Sequence, residues 1–123
     1  PNCVEADVNL GNALHSQSKL SAERQVNYGL LNYKLGYARK QAGDLKTAVT
    51  YYRQAIILFE AGESAIALQP KFLGAFDDVN YNLGLVLQAQ DEIPEAIACY
   101  QKVLQLNPQH SQAKVKLEQI NQN

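Results

Sequence analysis

Residues 80–108 read NYNLGLVLQAQDEIPEAIACYQKVLQLNP, and residues 32–60 read NYKLGYARKQAGDLKTAVTYYRQAIILFE. The two stretches share a frame. Each has Asn, two residues, Leu-Gly, then Ala twelve residues after the glycine and Tyr four after the alanine. The positions are Asn32, Leu35, Gly36, Ala48 and Tyr52 in one, and Asn80, Leu83, Gly84, Ala96 and Tyr100 in the other. This spacing has a steric cause. Two antiparallel helices approach closely only where both side chains are small. Gly36 is therefore expected to face Ala48 across one hairpin, and Gly84 to face Ala96 across the other. The tyrosine one turn later is expected to fill the gap between neighbouring hairpins. A bulkier residue at Ala48 or Ala96 would overpack the crossing by about 1–3 kcal/mol.

The helical signal extends beyond that frame. Tyr28, Leu31, Leu35, Ala38 and Ala42 recur at steps of three and four. So do Leu45, Ala48, Val49, Tyr52, Ile56 and Phe59, and again Phe72, Phe76, Val79, Leu83 and Leu87. No alternating run of β-branched residues suggests a strand. The prolines are Pro1, Pro70, Pro94 and Pro108, and none lies between residues 2 and 69. The breaks predict six helices, near residues 4–16, 21–42, 45–68, 71–90, 94–106 and 110–121. Gly43–Asp44 reads as a helix stop followed by an N-cap. Gln69–Pro70 and Asn107–Pro108 end helices, because the residue before proline avoids the α region. Pro94 falls in a first helical turn, where proline is tolerated. Gly62 is a point where the third helix can bend or split. Short connections make consecutive helices antiparallel.

The repeated frame resembles the tetratricopeptide repeat, a helix–turn–helix unit of about 34 residues. The resemblance implies an all-α fold in which antiparallel helical hairpins stack as a short right-handed superhelix. Residues 77–108 follow the family pattern nearly throughout, and residues 29–60 follow it through Ala55. Glu60 then stands where the family's closing proline is expected, and proline arrives only at Pro70. The simplest reading is a second helix lengthened by three turns. Asn9-Leu10-Gly11-Asn12-Ala13-Leu14 opens like a first helix, but Glu23 stands where its small partner is expected. Residues 1–123 are thus read as one domain: a flanking helix in 1–20, a lengthened repeat in 21–70, a near-consensus repeat in 71–108 and a capping helix in 109–123.

Composition narrows the function. The chain has 123 residues, with 11 basic against 12 acidic side chains, so no basic surface is expected to neutralise nucleic-acid phosphates. No run of 18 apolar residues is present to span a membrane, and no signal-peptide pattern opens the chain. A start at Pro1 rather than Met is expected of a fragment or processed product. Only 19% of residues are charged, and thirteen Gln with ten Asn supply the remaining polarity. Cys3 and Cys99 stand far apart with no partner motif, which fits reduced thiols in a cytoplasmic setting better than a staple. Catalysis has little foundation. His15 and His110 lie near opposite ends and read as surface side chains. Cys99, between Ala98 and Tyr100 in a helix, reads as a packed thiol. No zinc spacing and no phosphate loop occurs, so neither a metal nor a cofactor is expected. Asp77-Asp78 and Asp91-Glu92 read as solvated pairs. The chain is not expected to be an enzyme.

Binding has more support. In tetratricopeptide arrays the first helix of each repeat packs on its partner with one face and lines a concave groove with the other. With Tyr28, Leu31, Leu35 and Ala38 as the packing stripe, helix 21–42 offers Leu30, Tyr33, Lys34, Tyr37, Lys40 and Gln41 to the groove. Helix 71–90 offers Asp78, Tyr81, Asn82, Leu85 and Gln88, and helix 4–16 offers Val8, Asn9, Asn12 and His15. Tyr33, Tyr37 and Tyr81 are large, amphipathic contact candidates. Asn9 and Asn82 precede Leu-Gly in equivalent places. In the superhelix of the O-linked N-acetylglucosamine transferase, such asparagines form a ladder that grips a peptide backbone; here Lys34 interrupts it. The family's carboxylate clamp wants lysine where Val8, Tyr33 and Tyr81 stand, so acidic chaperone tails are not the expected ligand. The resemblance thus implies a protein-interaction module that holds a peptide or helix of another protein. The alternatives are a targeting or spacer segment of a larger enzyme such as a glycosyltransferase, and self-assembly through helix 4–16.

Overall fold

Local chemistry fixes where each helix starts and stops. The computed structural model describes residues 21–63 and 70–122. Among them run five helices and no strand: α1 (Ala22–Gln41), α2 (Leu45–Ala61), α3 (Pro70–Ala89), α4 (Ile93–Leu106) and α5 (Ser111–Asn121). The Ser21 hydroxyl accepts from the Arg24 N–H at 3.4 Å, and the Asp44 carboxylate accepts from the Thr47 N–H at 3.3 Å. Each satisfies one donor that a helix start leaves open. Gly43 sits at φ 84°, the left-handed region, and lets the chain turn from α1 into α2. Pro94 lies in the first turn of α4, as expected.

Side-chain contacts establish that α1 and α2 run antiparallel. Three glycines mark the seam. A Cβ built on Gly36 would lie 2.7 Å from the Tyr52 ring and 3.3 Å from the Ala48 carbonyl oxygen. One built on Gly29 would lie 3.1 Å from the Phe59 ring and 3.3 Å from the Ala55 carbonyl oxygen. One built on Gly62 would lie 2.5 Å from Val26 and 2.6 Å from the Ala22 carbonyl oxygen. Moving back along α1 therefore moves forward along α2. The α3–α4 hairpin repeats the device, with Gly84 pressed against the Tyr100 ring at 2.6 Å from a built Cβ. The two hairpins stack through α2 and α3, with the Phe59 and Phe76 ring centroids 5.5 Å apart, and α5 packs on α4. Val26, Phe59, Phe72, Phe76, Val79 and Val103 belong to one continuous buried core.

Three expectations are corrected. The helix beginning at Leu45 does not run on to residue 68. It ends at Ala61, with Gly62 as its C-cap, because the chain at Gly62 nests against the backbone of α1. α1 and α3 have the length expected of helices 21–42 and 71–90, each with 20 residues. The packing stripe of α1 is not Tyr28, Leu31, Leu35 and Ala38. Val26, Gly29, Asn32 and Gly36 are the buried positions, and Ala38 is exposed. Close approach at glycines rotated the helix toward its small and amide side chains. Finally, Tyr52 and Tyr100 do not act mainly between hairpins. Each ring lies on the glycine of its own hairpin. The expected helix 4–16, with Val8, Asn9, Asn12 and His15, lies outside the described residues.

Candidate partner-binding site

The α1–α3 face gathers Tyr33, Lys40 and Asn82 into one hydrogen-bonded cluster, with the Tyr37 ring beside Lys40. Asn82, from α3, is its centre. The Lys40 ammonium donates to Asn82 Oδ1 at 2.9 Å. Asn82 Nδ2 donates to the Tyr33 hydroxyl at 3.1 Å and to the Asp78 backbone carbonyl at 2.9 Å. Lys40 Nζ also stands 5.8 Å from the centroid of the Tyr37 ring, and Gln41 Nε2 donates to the Tyr37 hydroxyl at 3.1 Å. The cluster exists only because the two hairpins stack. Its amide oxygen and both amide hydrogens are engaged within the protein, so Asn82 serves as a bridge between repeats rather than as a rung of a ladder.

Burial sets the electrostatics here. It pushes the Tyr33 phenol up to about 12, with the nearby Asp78 charge adding to the shift. Burial lowers the Lys40 ammonium from its usual value. Burial and then the neighbouring Asp77 carboxylate raise Asp78, while His110 opposes them. Desolvation thus acts against the charged form of all three groups, the phenol, the ammonium and the carboxyl.

The remaining candidates divide. Tyr37 is exposed at 44%, and Lys34 is exposed. Tyr33 and Tyr81 are half-buried instead: their rings pack on Tyr52 and Tyr100, at centroid distances of 5.9 and 5.8 Å. Leu85 packs against the core. Gln88 is engaged inside its own hairpin, where its Oε1 accepts from the Tyr100 hydroxyl at 2.8 Å. Gly36 meets the Ala48 backbone as expected, while Ala96 is fully buried one turn before the tyrosine that covers Gly84.

Sequence reading missed the contribution of α5. His110 is not a solvated side chain: its Nδ1 accepts from the Ala113 N–H at 3.1 Å, and its ring packs on Tyr81 at 5.0 Å. Beyond it, Tyr81, Ser111, Gln112, Val115, Lys116 and Gln119 line a pocket of about 240 Å³ between α3 and α5. The family's own period points there, since Val115 and Lys116 fall 34 residues after Tyr81 and Asn82. Reading residues 109–123 as a mere cap hid that step. Cys99 is half-buried, and burial pushes its thiol up to about 11.

Stacked antiparallel hairpins locked at glycine crossings, with side chains of successive first helices meeting on one face, define a helical-repeat protein. Residues 31–58 and residues 78–110 each match the tetratricopeptide repeat, and the chain belongs to the tetratricopeptide repeat proteins. No curated protein matches it. Tetratricopeptide repeats mediate protein–protein interactions, and in that general sense the chain is an interaction module. None of the described helices is long and apolar enough to cross a membrane.

Proposed function

We propose that the face shared by α1 and α3 holds a peptide or a helix of a partner protein. The Tyr33–Asn82–Lys40 bridge carries this reading. It fixes the spacing of the two first helices and leaves Tyr37, a large aromatic exposed at 44%, standing beside a cation. Aromatic side chains in such places supply much contact area at low entropic cost. The module works by binding, not by catalysis. Two side chains that could serve a nucleophilic or acid–base mechanism are otherwise occupied. The Cys99 thiol is held protonated by burial, and His110 Nδ1 caps α5.

The test is affinity purification of partners, followed by dissociation constants for the partner recovered. Tyr37→Ala with Asn82→Ala is expected to weaken binding by about 2 kcal/mol, or about thirtyfold. Ile57→Ser, on α2 and exposed at 47%, is expected to leave affinity unchanged. The opposite pattern would move the site off this face.

A further inference from the structure

The α1–α3 and α3–α5 halves of this face are filled differently. In the first, Lys40 reaches across to Asn82. In the second, the residue in the place of Lys40 is Gln88, 48 positions on, and it turns inward to Tyr100. Gln88 therefore does not reach toward α5 as Lys40 reaches toward α3, and beyond the Tyr81–His110 ring contact stands the pocket of about 240 Å³. Its walls are the Tyr81 ring and Val115, which is 47% exposed, with Ser111, Gln112 and Gln119 around them. Lys116 carries the only formal charge among the lining residues. The neighbouring half of the face presents the Lys40 cation as well, and also the exposed Asp78 carboxyl one turn before Asn82. At the pocket itself an extended chain thus meets an apolar wall and the single Lys116 charge.

We propose that the α3–α5 pocket seats an apolar side chain of a partner's linear segment, with acidic residues flanking that side chain and facing Lys116. An apolar anchor between Tyr81 and Val115 leaves the adjacent backbone within reach of the surrounding amides, which can both donate and accept. Negative flanks answer the Lys116 charge and steer encounter. This inference rests on the groove reading above, and the experiment separates their failures.

The probes are two blocked pentapeptides with leucine at the centre, one with glutamate at every other position and one with lysine. Each is titrated into isotopically labelled protein and followed by amide shifts in NMR. The acidic peptide is expected to shift residues 81 and 111–119 and to bind at least about fivefold more tightly than the basic one. Lys116→Glu should reverse that preference, and Val115→Ser should weaken both peptides. Both positions lie on the surface of α5, and an unchanged melting temperature confirms that the variants fold. Equal affinities, or a preference that survives Lys116→Glu, overturn the proposal. Shifts confined to Tyr33, Tyr37 and Asn82 overturn it while leaving the groove reading intact. Shifts on neither half, with either peptide, sink both.

Discussion

The two hairpins are copies displaced by 48 residues, from Gly36 to Gly84, Ala48 to Ala96 and Tyr52 to Tyr100. Their buried amides behave alike: Asn32 donates to the Tyr28 carbonyl and Asn80 to the Phe76 carbonyl, each at 2.9 Å. On the inner face of the first helix they part at Lys40 and Gln88. Gln88 accepts from the buried Tyr100 hydroxyl, whereas its counterpart Lys40 carries only donors and points to Asn82. The Tyr52 hydroxyl, equally buried, has no hydrogen-bond partner among the described residues. The second hairpin uses this position to complete its own interior. The first turns it outward, joins two repeats with it and leaves a buried hydroxyl unsatisfied. A repeat can thus gain a surface feature at the cost of internal satisfaction, by a single amide-to-ammonium exchange.

The largest test of the comparison is steric. Gly62 belongs to the first hairpin alone, and its added methyl would meet backbone, the Ala22 carbonyl oxygen at 2.6 Å. Backbone in a helix cannot step aside, so Gly62→Ala is expected to cost about 3 kcal/mol. Gly36→Ala meets the Tyr52 ring at 2.7 Å with the Ala48 carbonyl behind it at 3.3 Å. Gly84→Ala meets only ring atoms among its nearest neighbours, from 2.6 to 3.1 Å. Both should cost about 1–2 kcal/mol after the better helix propensity of alanine is counted, with Gly36 the worse. Urea unfolding ranks the three. If Gly62→Ala is the mildest, α1 and α2 are not held together where these distances put the seam.

The next test isolates the divergent position. Tyr100→Phe removes the donor to Gln88 and is expected to cost about 1 kcal/mol. Tyr52→Phe removes a hydroxyl that has no partner and is expected to be neutral or mildly stabilising. Lys40→Gln should sharpen the contrast by making the first hairpin resemble the second, so that Tyr52→Phe becomes costly in that background. Shifts of the unfolding midpoint measure all of these. Equal losses at Tyr52 and Tyr100 in the parent chain would remove the asymmetry on which the comparison stands.

The seam was legible in the sequence because steric exclusion is local and has a fixed period. Glycine and alanine twelve apart can mean little else in two helical runs joined by a Gly-Asp turn. Helix ends were legible for the same reason at Asp44 and Pro94, where the signal sits in one or two residues. The break at Gly62 was only half visible. A glycine inside an apolar helical pattern announces a weak point, but that it stops the helix depends on α1 passing within contact distance. The face of α1 was misjudged because leucine and tyrosine outweigh glycine in any hydrophobic count, whereas the closest approach selects the smallest side chains. The site was least legible. Asn82 and Lys40 are 42 residues apart, and nothing in either neighbourhood says that one completes the other. His110 reads as a surface side chain because its acceptor role at the start of α5 depends on a ring nitrogen that sequence leaves unassigned.

The smallest effects lie in the turns, where the ranking of the hairpins inverts. The second repeat follows the family pattern more closely, yet it has the poorer turn. Asp91 occupies the place of Gly43 and is forced to φ 62°, a region that costs a residue with a Cβ about 1 kcal/mol, less for Asp than for most. Glu92 occupies the place of Asp44 and makes no side-chain capping bond, because its extra methylene carries the carboxylate past the N–H that Asp44 reaches. Asp91→Gly is therefore expected to stabilise the chain by about 0.5–1 kcal/mol, and Glu92→Asp by about 0.5 kcal/mol. Asp44→Ala should lose about 1 kcal/mol. Hydrogen exchange adds the location: Asp91→Gly should slow exchange at the start of α4 and leave the start of α2 unchanged. If Asp91→Gly destabilises the chain instead, the aspartate side chain holds the turn in a way its backbone angle does not reveal, and the second hairpin is the better made of the two throughout.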